Sequence, residues 1–65
     1  MEAKTTKDKL KVLAKHWKEH NESHIKEYEK WLQKCKEEGL NSEVELLEKI
    51  IGKSRELNKF YEKLE

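Results

Sequence analysis

The sequence has no proline, only two glycines and a single cysteine among its 65 residues. Without proline, nothing obliges a helix to stop, and the Lys-, Glu- and Leu-rich composition favours long helices over strands. A single cysteine, Cys35, excludes a disulfide within the chain. A chain this short buries only about 60% of the surface of its unfolded form, so we expect a metal ion or a second copy of the chain to add stability.

An excess of one charge is also missing. Charged residues make up 45% of the chain, yet the net charge is +1 and the two signs alternate throughout. This pattern excludes the clustered basic surface of a nucleic-acid-binding protein, and no apolar run is long enough to cross a membrane. The first four residues lack the core of a signal peptide, so we expect a cytoplasmic protein. The charges are almost all Lys and Glu, a bias that suggests a thermophilic source.

The first helix is predicted over about residues 6–38. Thr5, or Thr6 beside it, can cap its start, and Thr5 has Asp8 three residues later to complete a capping box. Eight residues then recur at spacings of three and four and fall within one arc of roughly 80° on a helical wheel. This apolar line consists of Leu10, Leu13, Trp17, His20, His24, Tyr28, Trp31 and Cys35. A flank of Ala14, Asn21, Ile25 and Leu32 widens it.

The second helix is predicted over about residues 42–64. Gly39 suits the left-handed position that ends a helix, and Ser42 with Glu45 forms a second capping box. So short a link implies an antiparallel all-α hairpin that forms one domain over residues 1–65. Asn and Ser favour helix ends over interiors, so a break near Ser23 would instead give three helices.

The second helix has an apolar arc of roughly 200°, which one neighbouring helix cannot cover. We therefore expect two hairpins to pair as a homodimer in a four-helix bundle. The predicted interface consists of Trp17, Ile50, Leu57, Phe60, Tyr61 and Leu64.

Folding the hairpin about Gly39 predicts which residues of the two helices meet. His24 should face Ser54, His20 should face Asn58, and Trp17 should lie near Tyr61. The two histidines would then form a polar layer with the only polar residues of the opposing stripe.

Three histidines stand four residues apart, at positions 16, 20 and 24. Helical neighbours at this spacing can bind one metal ion, and imidazole ligands suit Ni²⁺ or Zn²⁺. His16 and His24 are about 12 Å apart along the axis, so one pair must be joined by other ligands. Candidate supporting residues are Glu19, Asn21, Glu27, Ser54 and Asn58. Alternatively, buried histidines fix helix register without metal, or sense protons.

The residues His16-Trp17, Glu19-His20-Asn21 and His24 form the pattern H-W-x-E-H-N-x-x-H. This pattern resembles a short helical module that can accompany CooT-type nickel-binding accessory proteins. The resemblance implies a role in nickel handling, with His16, His20 and His24 as candidate ligands and a metal-handling protein as a possible partner.

Two functions follow from the sequence: a small metal-binding protein that uses helix-borne histidines, or a helical dimerisation module whose histidine layer sets pairing specificity. An enzyme is not expected, because no nucleophile has a base within helical reach and no glycine loop could hold phosphate. The general-base Glu of zinc proteases is also missing, since Trp17 follows His16 and Asn21 follows His20.

Overall fold

The computed structural model describes residues 5–65 as two long helices joined by a short turn: α1 (Thr6–Glu37) and α2 (Asn41–Leu64). These residues contain no strand, which confirms the predicted all-α helical hairpin. No helix within the described range is both long and apolar enough to span a membrane. The first four residues, on which the prediction about a signal peptide is based, lie outside the described part of the chain.

The start of α1 is the predicted capping box. The Thr5 hydroxyl accepts a hydrogen bond from the Asp8 backbone N–H at 3.1 Å, and the Asp8 carboxylate accepts one from the Thr5 N–H at 3.3 Å. The helix then continues without interruption, so the three-helix alternative is wrong. Ser23 lies within the helix, and its hydroxyl donates to the Glu19 carbonyl, 3.3 Å away and one turn earlier on the same helix.

The turn between the helices forms around Gly39, which has a φ of 70°. The Leu40 N–H donates to the Cys35 carbonyl at 3.0 Å, and the Gly39 N–H donates to the Lys36 carbonyl at 3.3 Å. These two bonds satisfy carbonyl groups that the end of a helix would otherwise leave unpaired. Gly39 therefore ends α1 in the way that the sequence predicts.

The predicted capping box at Ser42 is wrong. The helix begins one residue earlier, at Asn41, and Leu40 occupies the cap position without a side-chain hydrogen bond. The Leu40 carbonyl instead accepts the first helical bond, from the Val44 N–H at 2.9 Å. The turn explains the difference: it brings Leu40 to the start of α2, so that Ser42 already lies inside the helix.

The core between the helices is thin. Among the described residues only Ala14, Ile25 and Ile51 are buried hydrophobic side chains, with 0%, 8% and 5% of their surface exposed. Ala14 and Ile25 belong to the flank of α1 and not to its predicted apolar line. The packed strip of α1 also includes the half-buried Leu10, Tyr28 and Cys35 of that line, so it is turned by about 60° from the one predicted.

Candidate functional site

The histidines lie outside the contact between the helices. His16, His20 and His24 are all exposed, so the prediction that His20 and His24 face Asn58 and Ser54 is wrong. Ala14 is one reason, because its small side chain lets the two backbones approach closely. The bulky rings on the apolar line would hold the helices further apart.

Asn21 takes the place predicted for the histidines. Its side-chain nitrogen donates to the Ser54 carbonyl at 2.8 Å and to the Asn58 side-chain oxygen at 2.7 Å. These hydrogen bonds are partly buried, where a polar group without a partner would be costly. The predicted height of the polar layer in the hairpin is right, and Asn21 is the residue of α1 that supplies it.

The ring nitrogens of His20 and His24 meet on the outer surface of α1. Their Nε2 atoms are 3.0 Å apart, and the rings are nearly perpendicular with centroids separated by 4.5 Å. Such a contact requires one ring to donate a proton and the other to accept it. The His16 ring is further away, 6.5 Å from the His20 ring. The i to i+4 spacing therefore brings one pair of nitrogens together, and the third histidine lies beside it.

Several residues predicted to support a metal site have other partners. The Glu27 carboxylate accepts a hydrogen bond from the Trp31 indole at 3.1 Å, and the Asn21 side chain donates to the Asn58 side-chain oxygen at 2.7 Å. Within residues 5–65, no group of three or more His, Cys, Asp or Glu side chains is arranged to hold a metal ion. One hairpin therefore presents two converging imidazoles and no third ligand.

Exposed apolar and aromatic side chains lie before and after the histidine pair on the same side of α1. We call this surface the open face. Trp31 is 48% exposed and Leu13 is 44% exposed. The open face comprises Leu13, Trp17, His20, His24 and Trp31 of α1 and Ile50, Leu57 and Leu64 of α2, with the half-buried Tyr28 and Tyr61 along its middle.

Both helices contribute to the same side of the hairpin. Viewed along each helix from its first residue, the exposed apolar residues are rotated by about 90° from the residues that pack against the other helix, and the sense of rotation is the same on both helices. Because the two helices are antiparallel, the same rotation on each helix turns these residues to the same side of the hairpin. Two ring contacts fit this arrangement: Trp17 and Tyr61 meet across the helices with centroids 6.1 Å apart, and the His24 and Tyr28 rings stack at 6.1 Å.

The opposite side of the hairpin is charged. Lys18 pairs with Glu62 at 3.2 Å, and Arg55 pairs with Glu29 at 2.9 Å. The hydrogen bond to Glu62 raises the pKa of Lys18 above its usual value. A shallow groove of about 300 Å³ on this side is lined by Glu22, Ile25, Lys26, Glu29, Arg55 and Asn58. The hairpin thus separates its charge from its apolar surface.

The predicted interface residues mostly belong to the open face. Trp17, Ile50, Leu57 and Leu64 are exposed, and Tyr61 is half-buried beneath Trp17. Phe60 is 61% exposed at the outer edge of α2, where the Lys63 ammonium lies 5.3 Å from its ring centre. Cys35 is a half-buried free thiol at the turn end of the hairpin.

Comparison with known proteins gives a family assignment. No curated protein and no solved structure matches the chain. The family described as a domain of unknown function (DUF8180) matches residues 10–64, which include most of α1, all of α2, the histidine pair and the open face. The chain therefore belongs to the DUF8180 family.

Proposed function

We propose that this chain is a non-catalytic helical self-association module, in which two hairpins pair through their open faces to form a four-helix bundle. The observation that supports this most directly is the division of the hairpin into a charged side and an uncharged side. Contiguous exposed apolar surface of this kind usually marks an interaction site.

The small core of the hairpin supports the need for a partner. Only three hydrophobic side chains are buried between the helices, whereas ten large hydrophobic residues of the described range remain exposed. Two helices alone rarely bury enough apolar surface to offset the entropy lost on folding. Pairing would bury the largest of these side chains, including Trp17 and Trp31, and would enlarge the core.

A second copy of the chain fits the open face because the face is nearly symmetric about its own centre. Helix α1 spans residues 6–37, so its midpoint lies beside Glu22. His20 and His24 each lie two residues from Glu22, while Leu13 and Trp31 each lie nine residues from it. Two further pairs are nearly symmetric: Trp17 with Tyr28, and Leu10 with Cys35. An antiparallel twofold pairing of α1 would therefore match apolar residues with apolar residues and histidines with histidines.

The required contact area is compatible with the size of the chain. A stable interface removes about 800 Å² of surface from each partner. The surface of the hairpin is 5570 Å², so such an interface would cover about one-seventh of it. The open face runs along both helices and offers an area of this order.

The histidine pair would give such a dimer a defined register. In an antiparallel pairing about Glu22, His20 of each copy faces His24 of the other. A polar layer within an apolar interface favours the one alignment in which its members meet. Sliding one hairpin by four residues in one direction would place His20 against Tyr28, and sliding it in the other direction would pair His24 with His16, which lies outside the open face.

The proposal is tested with two neighbouring apolar residues of α1. Leu13 belongs to the open face, whereas Val12 is 65% exposed and points to the outer edge of α1. We expect sedimentation equilibrium at about 50 µM to show a dimer for the unchanged protein and for Val12→Lys. For Leu13→Lys we expect the dissociation constant of the dimer to rise at least about tenfold, because the interface would bury an unpaired ammonium group.

Two results would contradict self-association through this face. One is a monomer at every concentration up to about 100 µM, because a stable interface of this size should have a dissociation constant below that concentration. The other is an equal effect of the two lysine substitutions, which would place the contact elsewhere. Circular dichroism of each variant checks that the helices remain folded.

A further inference from the structure

The separation of the His20 and His24 ring nitrogens suits two ligands of one metal ion. Metal–nitrogen bonds to imidazole are about 2.0–2.1 Å long, so two ligands of one ion lie about 2.9 Å apart at a right angle and about 3.3 Å apart at a tetrahedral angle. The observed separation of the two Nε2 atoms is 3.0 Å. Both rings are exposed, so the nitrogens can exchange their mutual hydrogen bond for an ion without unfolding the helix.

We propose that His20 and His24, together with the same two residues of a second copy, bind one Ni²⁺ or Zn²⁺ ion at the centre of the dimer. This inference rests on the proposed self-association, because each hairpin supplies only two of the four ligands. Imidazole suits both ions, and four neutral rings would complete a four-coordinate site.

The ligands within one chain are insufficient. His16 is on the same helix, but its ring lies 6.5 Å from that of His20, and it is about 12 Å from His24 along the axis. Cys35 lies eleven residues beyond His24, or about 16 Å along the axis. A single hairpin could therefore hold an ion only through two nitrogens and solvent.

The position of the pair makes the second copy a suitable source of the missing ligands. His20 and His24 are centred on Glu22, at the midpoint of α1. An antiparallel twofold axis through this point brings four imidazoles to one level, with Trp17 and Trp31 on either side. The surrounding apolar rings would exclude water from the ion and strengthen its bonds to nitrogen.

The experiment uses the full chain without a histidine tag, titrated calorimetrically with Ni²⁺ and separately with Zn²⁺ at about pH 7.5, where imidazole is available as a ligand. We expect a stoichiometry of one ion for two chains. His20→Ala and His24→Ala should each weaken binding by at least about 100-fold, because one substitution removes two ligands from the dimer. His16→Ala is the matched control and should bind as the unchanged protein does.

Sedimentation equilibrium with chelator and with added ion separates this inference from the proposed function. A saturating concentration of the ion should lower the dissociation constant of the dimer at least about tenfold, since the ion binds only the dimer. A dimer that binds neither ion would overturn the metal site and leave self-association intact. A monomer with and without ion would overturn both. Binding of one ion per chain, or binding that persists in His20→Ala, would overturn the shared site.

Discussion

Asn21 shows how one residue can determine which side of a helix packs. Its amide donates two hydrogen bonds to α2, one to the backbone of Ser54 and one to the side chain of Asn58. The Ser54 carbonyl keeps a second lone pair besides the one used by its own helix, and a short amide side chain reaches it at only one height and one rotation of α1. The amide thus fixes both the register of the hairpin and the direction in which the histidines point.

We expect Asn21→Ala to lower the free energy of unfolding by about 1–3 kcal/mol, because it removes two hydrogen bonds and leaves the partly buried Asn58 side chain without this partner. Chemical denaturation followed by circular dichroism measures the change. Ser23→Ala is the matched control on the same helix, since its hydroxyl bonds only to its own backbone. Equal stabilities for the two variants would show that the Asn21 network contributes nothing beyond the helix itself.

The sequence predicts the polar layer but assigns it to the wrong residues. Ser54 and Asn58 stand out as the polar members of an apolar stripe, and their height opposite residues 20–24 follows from the length of the turn. Histidine and asparagine both satisfy such a layer, and they occupy adjacent positions on α1. Only the packing of Ala14 and Ile25, which depends on how closely the backbones approach, separates the two choices.

At the scale of elements, the sequence correctly predicts those helix ends that are determined by residues close by in the chain. Thr5 with Asp8, and Gly39 with its left-handed backbone, act within four residues of themselves. The start of α2 is different, because the turn made by Gly39 and Leu40 determines where the next helix begins. Serine is a residue type that favours the N-cap position, but the preceding turn has already placed Ser42 inside α2.

The two glycines give opposite predictions for the same substitution. Gly39→Ala should destabilise the hairpin by about 1 kcal/mol, because its φ of 70° is strained for any residue with a Cβ atom. Gly52→Ala should stabilise it by up to about 1 kcal/mol, because the position is helical and a Cβ atom there meets nothing within 4 Å. Thermal unfolding of the two variants at equal concentration measures both shifts. Destabilisation by Gly52→Ala would instead indicate a close neighbour at that site, such as a second copy.

At the scale of the whole molecule, the predicted apolar line of α1 is a genuine uncharged stripe, but α2 covers only the part of it that contains Leu10, Tyr28 and Cys35. Two overlapping strips of α1 are both apolar enough to pack, and they differ by about 60° in direction. Periodicity measures the width of an apolar surface and not which part of it a given partner occupies. The choice depends on the fit of two whole helices, and it leaves Leu13, His20, His24 and Trp31 for another molecule.

The orientation of the proposed dimer can be measured from two spin-labelled positions. In the Cys35→Ser background, Ser23→Cys places a label one residue from Glu22, and Lys34→Cys places one twelve residues from it. At 1.5 Å per residue, an antiparallel twofold about Glu22 separates the two copies of residue 34 by about 36 Å along the helix axis and those of residue 23 by only about 3 Å. We therefore expect double electron–electron resonance to give about 40 Å for Lys34→Cys and about 20 Å for Ser23→Cys, once the width of the helices is included. A parallel arrangement gives similar distances at both positions, and in that case the match of His20 with His24 across the axis would be lost.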